Sequence, residues 1–282
     1  MKCMEKAYAK VNLTLQVGSR HPDGYHAVMS VMQRISLWDT VTVERGTGRD
    51  ILLCSVPVTE SADDNLCMKA LRAFFAETGI KSDGVTITLE KHIPVQAGLG
   101  GGSSDAAAVW RGLRTLYAPN MTDTRLEKMA EKLGSDVPFF IQGGTQLATG
   151  RGEVVSPLPQ LAEGWFVVVK PDEGYSTAEM YRRLDEPGSR RVRNSRYMQD
   201  AVAANNVHAV AAELHNSFER VVPKDSSLRT IKDALRAQGA LGTLLSGSGS
   251  AVFGLFDDQS AAAAAAEALK KTWPWVFVAR PV

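Results

Sequence analysis

The stretch Pro94–Ser104, with the sequence PVQAGLGGGSS, constrains this chain more than any other. Four of the five positions in Gly98–Gly102 are glycine, and two serines follow them. An alternating apolar pattern over 85–89 predicts a strand before the stretch, and a helical pattern over 105–117 follows it. A glycine loop that opens a helix directs backbone N–H groups and the helix dipole at one point, which suits a phosphate group. A flexible surface turn is the alternative, but a turn does not need so many glycines before a helix.

The loop matches none of three well-known nucleotide-binding patterns completely. It lacks the lysine that follows the glycines in the pattern G-x-x-x-x-G-K-[ST]. Gly98, Gly100 and Ser103 stand at the spacing of the dinucleotide fingerprint, but its last glycine is replaced. A helix predicted over 120–133 also stands where that fingerprint expects a strand. The H-R-D and D-F-G runs of protein kinases are absent from the sequence. The loop therefore predicts a phosphate site, and a dinucleotide-binding oxidoreductase stays a less favoured alternative.

Composition excludes several other classes of protein. The chain has 282 residues, of which 44% are hydrophobic and 22% charged, which fits one large or two ordinary globular domains. A net charge of +1 gives no electrostatic case for binding nucleic acid or an anionic membrane. The three cysteines lack metal-ligand spacing, and no apolar run reaches the ~20 residues of a membrane span. Because the N-terminus also lacks a signal-peptide pattern, we predict a cytoplasmic protein.

The first strand pattern has two different faces. Residues Ala7–Val17 alternate, with apolar side chains at the odd positions and polar ones at the even positions. The odd face predicts a core contact, while the even face carries Lys10 and Asn12. The pattern alone favours a solvated even face over a binding site, because lysine is usually exposed. Met29–Leu37 and Thr40–Glu44 predict two further strands.

The segment RHPDGYH, residues 20–26, predicts a turn that presents two rings together. Proline and glycine set the turn, and Tyr25 and His26 follow it directly. The two rings could form a platform for a flat polar ring, by stacking and hydrogen bonding. They could equally belong to a hairpin whose tyrosine covers the core, and the residues leave both interpretations open.

Two polar segments predict helix starts. Asp63–Asn65 opens a helix that ends at Gly79. Further along, GSDVPFF places Asp136 before a short helix over Val137–Ile141. Capping of that short helix would by itself explain the aspartate.

Pro157 and Pro159 mark a predicted domain boundary, which gives domains at 1–157 and 158–282. The second part has a pattern of strand, helices, strand, loop, strand, helix and strand, typical of an α+β layer. Residues 186–196 carry four arginines, which favour a solvated loop over a phosphate site because proline, glycine and serine surround them.

Four motifs, in this order, resemble those of the superfamily of galactokinase, homoserine kinase, mevalonate kinase and phosphomevalonate kinase, the GHMP kinases. They are AKVNLTL from residue 9, PVQAGLGGGSSDAA from residue 94, GSDVPFF from residue 134 and LLSGSGSAVFGLF from residue 244. RHPDGYH narrows the resemblance to the 4-diphosphocytidyl-2-C-methyl-D-erythritol kinases. The resemblance implies an α+β, two-domain GHMP kinase fold. Its N-terminal domain would be a ribosomal-protein-like α/β domain with a left-handed β–α–β unit, against the usual right-handed rule. Its C-terminal domain would be a ferredoxin-like α+β domain.

The resemblance also implies a reaction, the ATP-dependent phosphorylation of the 2-hydroxyl group of this cytidylyl substrate in the non-mevalonate isoprenoid pathway. Mg²⁺ is expected with ATP, although the sequence has no dedicated carboxylate cluster to hold it and Ser104 is the nearest hydroxyl candidate. The partners would be small molecules, without nucleic acid or membrane, and the chain could be a monomer or a homodimer.

Individual roles follow from the same resemblance. Asp136 would take the proton of the substrate hydroxyl, and Lys10 would lie next to it. Asn65 would contact the adenine. The ATP phosphates and the nucleotide beside them would be held by Pro94, Val95, Gln96, Ala97, Gly98, Leu99, Gly100, Gly101, Gly102, Ser103 and Ser104. The substrate would be bound by Asn12, Tyr25, His26, Thr177 and Tyr181, with the two tyrosines enclosing the cytosine and the histidine bonding to its edge.

A kinase for another small alcohol, such as homoserine or mevalonate, is the alternative within the superfamily. The segment RHPDGYH and Tyr181 favour a substrate with a stacking base over an aliphatic one.

Overall fold

The computed structural model describes residues 1–20, 24–185 and 195–282, apart from the side chain of Ser19. Residues 21–23, which include the proline and the aspartate of the predicted turn, lie outside the described residues. So do residues 186–194 of the arginine-rich segment. The strands of the described part are β1 (Lys2–Arg20), β2 (His26–Arg45), β3 (Ile51–Cys54), β4 (Val85–Glu90), β5 (Thr145–Thr149), β6 (Val154–Pro157), β7 (Trp165–Lys170), β8 (His215–Asn216), β9 (Gly242–Leu245), β10 (Val252–Phe256) and β11 (Trp275–Ala279). The α-helices of this part are α1 (Leu66–Thr78), α2 (Gly101–Tyr117), α3 (Asp123–Ala130), α4 (Phe139–Gln142), α5 (Thr177–Leu184), α6 (Ser195–Ala203), α7 (Val207–Glu213), α8 (Leu228–Ala237) and α9 (Gln259–Leu269).

The second strand is longer than its sequence pattern indicates. The predicted strands Met29–Leu37 and Thr40–Glu44 belong to one uninterrupted strand, β2. Asp39 is a residue type that strands disfavour, which is why the pattern breaks there. In the structure this side chain is fully buried, and its Oδ1 accepts hydrogen bonds from the amides of His92 at 2.5 Å and Ile93 at 2.8 Å. A satisfied buried carboxylate lets the strand continue.

One compact unit comprises residues 1–9, 38–95 and 100–143. In it β4 pairs antiparallel with β2 and parallel with β3, and α1 connects β3 to β4. Helix α1 begins and ends as the sequence predicts, because Asn65 is its N-cap and Gly79, at φ 68°, is its C-cap. Trp110 of α2 is buried against α1, and its indole Nε1 donates to the carbonyl of Ala70 at 2.6 Å. This packing fixes the helix that follows the glycine loop.

The other compact unit comprises residues 10–37, 96–99 and 144–282. Strand β5 pairs antiparallel with both β2 and β6, and β8 pairs parallel with β1. A separate antiparallel sheet has the order β11-β7-β10-β9, and apolar side chains of α8 and α9 pack in its core. Both units combine distant stretches of chain, and the domain division at 1–157 and 158–282 stays a prediction.

Within the residues that the structure describes, no helix has the length and apolar character needed to cross a membrane.

Candidate active site

The carbonyl oxygens of four successive residues of the glycine loop are all hydrogen-bonded. All the atoms involved belong to the unit that contains residues 96–99. The carbonyl oxygens of Gln96 and Ala97 accept from the amides of Ser250 at 3.3 Å and Ala251 at 3.0 Å, respectively. The carbonyl oxygen of Gly98 accepts from the hydroxyl of Ser246 at 3.0 Å. The carbonyl oxygen of Leu99 accepts from the amide of Lys10 at 3.0 Å. Carbonyl oxygens repel phosphate oxygens. Because the carbonyl oxygens of residues 96–99 are bound to other protein groups, the backbone of the loop is compatible with an anion.

The start of α2 offers donors for such an anion. Gly100 is the N-cap residue at φ 72°, and no side chain caps the helix. Among the described residues, the amides of Gly101, Gly102 and Ser103 have no acceptor, as expected for the first turn of a helix. The hydroxyl of Ser104 is buried, and it has no hydrogen-bond partner within the described part of the chain. These unmet donors fit a phosphate group, and the serine hydroxyl also fits the Mg²⁺ that accompanies ATP.

A second glycine-rich loop, Ser246–Ser250, lies against the first one within the same unit. A Cβ atom on Gly247 would be 2.8 Å from the carbonyl oxygen of Gly98. The hydroxyl groups of Ser248 and Thr177 are 2.8 Å apart, which brings a predicted substrate residue to this loop. The motif SGSGS has no role predicted from the sequence. Its alternating small residues are the signal that allows one backbone to approach another closely.

The even face of β1 is buried, so the prediction of a solvated face is wrong. Lys10, Asn12 and Thr14 are each less than 5% exposed. Lys10 Nζ donates to Asn12 Oδ1 at 2.6 Å, and Asn12 Nδ2 donates to the hydroxyl of Ser30 at 2.7 Å. That hydroxyl donates to the carbonyl of Thr14 at 2.6 Å. The hydrogen bond from Asn12 to Ser30, 18 residues away, thus offsets the cost of burying the polar face. No local sequence pattern reveals this partner.

His26 has partners on its face and on both ring nitrogens. Its ring stacks on Tyr181, with centroids 5.3 Å apart and planes at 27°. Its Nδ1 lies 3.0 Å from the carbonyl oxygen of Gly18, and its Nε2 lies 3.2 Å from Oδ1 of Asp185. Phe218 packs edge-to-face against Tyr181 at 5.0 Å. The structure therefore brings His26 and Tyr181 together, and it is the imidazole that stacks on this tyrosine.

Tyr25 has a more open environment than His26. It is 54% exposed, and the guanidinium group of Arg151 lies 4.0 Å from its ring centroid. An exposed ring that is supported by a cation suits stacking of a flat ligand. Enclosure of a cytosine between Tyr25 and Tyr181 stays a prediction.

Asn65 and Asp136 lie in the other unit, which also contains residues 100–104, and they have different local structures. Asn65 caps α1, with its Oδ1 accepting from the amide of Cys67 at 2.9 Å, which leaves the side-chain Nδ2 as a donor. Asp136 lies in the turn before α4 and is half-buried. The predicted helix over Val137–Ile141 begins later than expected, and Pro138 is its N-cap residue in place of Asp136. The assignment of Asp136 as a catalytic residue stays a prediction, and so does its role as a helix cap.

No dedicated metal site accompanies these residues. Within the described ranges, no three or more His, Cys, Asp or Glu side chains are grouped as metal ligands.

Comparison with known proteins identifies the family. The profile described as GHMP kinases N terminal domain matches residues 65–144, and that of GHMP kinases C terminal matches residues 198–274. A 4-diphosphocytidyl-2-C-methyl-D-erythritol kinase of Clostridium botulinum (strain Alaska E43 / Type E3) is 38% identical over 98% of this chain and 99% of its own. The enzyme of that name from Gloeobacter violaceus is 42% identical over 92% of this chain and 87% of its own.

The chain belongs to the 4-diphosphocytidyl-2-C-methyl-D-erythritol kinase family.

Solved structures agree with this family. A crystal structure of 4-(cytidine 5'-diphospho)-2C-methyl-D-erythritol kinase has a TM-score of 0.83 and 34% identity, covering 99% of this chain and 100% of its own. A homoserine kinase from Cytophaga hutchinsonii has a TM-score of 0.77 at 19% identity, covering 99% of this chain and 95% of its own, which shows a shared fold. The predicted family, the GHMP kinase fold and the assignment as an ATP-dependent kinase are confirmed. The roles of the individual site residues stay predictions for this member of the 4-diphosphocytidyl-2-C-methyl-D-erythritol kinase family.

Proposed function

We propose that this chain transfers the γ-phosphoryl group of ATP to the 2-hydroxyl group of 4-diphosphocytidyl-2-C-methyl-D-erythritol, in the non-mevalonate isoprenoid pathway. The observation that carries the proposal is the structure of the glycine loop. Its carbonyl oxygens are bound elsewhere, while the first amides of α2 have no acceptor among the described residues. The chain also matches kinases that act on this substrate by name over nearly its full length.

In this proposal the donor lies at Pro94–Ser104. Phosphoryl transfer to an alcohol depends mainly on positioning and charge neutralisation. The α2 amides and the helix dipole would supply part of that charge. Mg²⁺, when bound with ATP, would neutralise phosphate charge. The hydroxyl of Ser104 would face the Mg²⁺. Asn65 would direct its Nδ2 to an acceptor on the adenine.

Asp136 is the proposed general base, and Lys10 the group that stabilises the alkoxide. A carboxylate within hydrogen-bond reach can accept the proton of a hydroxyl group. A lysine next to it favours the ionised carboxylate and the developing negative charge. Support comes from the motifs AKVNLTL and GSDVPFF and from the burial of Lys10 within a polar network. The pairing of the two residues rests on the family resemblance.

The acceptor substrate would be recognised through its base and its diphosphate. Tyr25 presents an exposed ring for stacking, and His26, the next residue in the chain, forms an aromatic pair with Tyr181. Thr177, hydrogen-bonded to Ser248, would meet the diphosphate, and Asn12 would contact the sugar alcohol. A hydroxyl pair beside a glycine loop suits phosphate oxygens.

A coupled assay tests the proposal directly. The purified chain is supplied with MgATP and, separately, with the cytidylyl substrate, mevalonate or homoserine. We expect turnover of the cytidylyl substrate, and turnover of an aliphatic alcohol alone would overturn this assignment. The alternative of a dinucleotide-binding oxidoreductase is wrong, because the chain matches the N- and C-terminal domains of GHMP kinases.

The proposal also includes a cytoplasmic location and small-molecule partners alone. Cell fractionation with an activity assay tests the location, since activity in the membrane fraction would contradict it. Sedimentation of the purified chain decides between a monomer and a homodimer.

A further inference from the structure

A buried cluster of three charged side chains holds both ends of the glycine loop. Asp39 comes from β2, Lys91 follows β4 directly, and Asp105 lies in α2, all within one unit. Their side chains are 0%, 5% and 4% exposed. Lys91 Nζ donates to Asp39 Oδ2 at 2.5 Å and to Asp105 Oδ2 at 2.7 Å. None of the three is among the site residues predicted from the motifs.

The cluster is bonded to the backbone on the side where the chain enters the loop. Oδ1 of Asp39 accepts from the amides of His92 and Ile93, the two residues before Pro94. One carboxylate therefore uses one oxygen to hold the lysine and the other to hold the incoming chain. The incoming segment has little freedom to shift relative to β2.

The same lysine lies against the side where the chain leaves the loop. A Cβ atom on Gly101 would be 3.4 Å from Lys91 Nζ, so the ammonium group is next to the first residue of α2. One turn later, Asp105 binds that ammonium group from the same helix. Lys91 thus joins the entry and the exit of the loop through its own contacts.

Packing alone does not need three buried ionisable side chains. Desolvation of buried ions costs free energy, and apolar residues of similar size often stabilise a fold as well or better. Ion clusters do, however, fix geometry more narrowly than apolar contacts, because their hydrogen bonds are directional. A phosphate loop needs such fixed geometry, since preformed donors need no rearrangement when the anion arrives.

We propose that Lys91, held between Asp39 and Asp105, is a positioning residue for ATP, which fixes the two ends of the glycine loop so that the first amides of α2 point at the phosphates. It acts through the backbone and not by touching the nucleotide, in contrast to the lysine within a Walker A loop. This inference rests on the proposed function, because it assumes that the loop binds the ATP phosphates.

The test compares ATP binding with substrate binding. Lys91→Met keeps an unbranched side chain, one atom shorter, and removes the charge and the three donors of the ammonium group. Calorimetry with a non-hydrolysable ATP analogue should show at least tenfold weaker binding. Steady-state assays should show a similar rise in KM for ATP and less than a twofold change in KM for the cytidylyl substrate.

Lys232→Met is the matched control. Lys232 is also a partly buried lysine, 14% exposed, and both oxygens of Glu219 bind its Nζ at 2.7 Å. It lies in α8, away from the glycine loop in sequence. This variant should lose stability but keep its affinity for the ATP analogue. If the role of Lys91 is purely structural, Lys91→Met will also lower the melting temperature and leave the ATP affinity unchanged. That outcome overturns the proposal.

Asp105→Ala decides the matter if Lys91→Met does not fold. It removes the acceptor in α2 that Lys91 Nζ bonds at 2.7 Å, and it leaves the bonds of Asp39 in place. We expect at least threefold weaker binding of the ATP analogue, and unchanged binding would overturn the proposal. Failure of the proposed function is distinguishable, because in that case the wild-type chain would not phosphorylate the cytidylyl substrate.

Discussion

Gly98 lies against the carbonyl oxygen of Ser246 so closely that a Cβ atom on the glycine would be 2.1 Å from that oxygen. The glycine also has φ 72°, a conformation that other residues adopt only with strain. The two glycine-rich loops therefore pack with their backbones in contact, and this requires glycine at position 98.

Gly98→Ala should disrupt the phosphate loop. Strain at the left-handed position costs about 1–3 kcal/mol, and the added methyl group must push the two loops apart. We expect at least tenfold weaker binding of ATP, measured by calorimetry. Gly134→Ala is the control, since its Cβ would meet Val137 only at an ordinary 3.6 Å. Equal effects of the two substitutions would contradict the role of backbone contact.

Asp136→Asn should separate chemistry from ATP binding. General acid–base catalysis contributes ~10²–10⁴-fold, so turnover should fall by that factor. Affinity for ATP should stay within twofold, and the melting temperature should change little because asparagine keeps a side-chain oxygen at this position. The measurements are a coupled assay and calorimetry. Turnover that survives the substitution would leave Asp136 without the role of base.

Tyr25→Ala should weaken binding of the cytidylyl substrate alone. A base stacked on an aromatic ring contributes ~1–3 kcal/mol, which corresponds to a rise in KM of about 5- to 150-fold. Because the ring is 54% exposed, stability should barely change. Tyr197→Ala provides the control, as that ring is 62% exposed on α6 and has no proposed role. An unchanged KM for Tyr25→Ala would refute stacking at this position.

Asn65 allows its capping role to be separated from its proposed contact with adenine. Asn65→Asp keeps an oxygen for the amide of Cys67 and loses the Nδ2 donor. We expect a raised KM for ATP with little change in thermal stability. Asn65→Ala loses the cap as well, which should cost about 1 kcal/mol of unfolding free energy. If Asn65→Asp leaves KM for ATP unchanged, the side chain serves only the helix.

Asp105 should make stability depend on pH. Burial raises the pKa of Asp105 from 3.8 to about 8, with Asp39 adding to the rise and Lys91 opposing it. Between these values the folded state retains a proton that the unfolded state has lost. The free energy of unfolding should therefore fall as pH rises from about 4 to about 8, by no more than about 1.4 kcal/mol per pH unit.

Urea unfolding without nucleotide at several pH values checks this slope, and Asp105→Asn should flatten it. The neighbouring groups do not produce the same slope. Burial raises the pKa of the Cys67 thiol well above its usual range, and the two aspartates raise the pKa of Lys91 against the effect of its burial. An unchanged slope in the variant would assign the pH dependence to other groups.

Local features were predictable because near neighbours determine them. The odd face of β1 is buried as its alternation predicts, and α1 begins at Asn65 and ends at Gly79. A helix follows the glycine loop as predicted, but α2 begins at Gly101, four residues before the predicted start at residue 105. Each of these depends on residues within one or two turns of chain, so periodicity and capping rules suffice.

Polar groups in the core were not predictable, because distant partners decide them. Lys10 appears in the sequence as a solvated lysine, and Asp39 as a break in a strand. The tertiary structure buries both, with Asn12 and Ser30 around the first and Lys91 with two backbone amides around the second. The sequence alone predicted a glycine loop suited to phosphate, and it determined which family the chain resembles. Only the tertiary structure decided how that loop is held, since buried polar groups and close backbone contacts need distant partners, such as Ser246 for Gly98, 148 residues away.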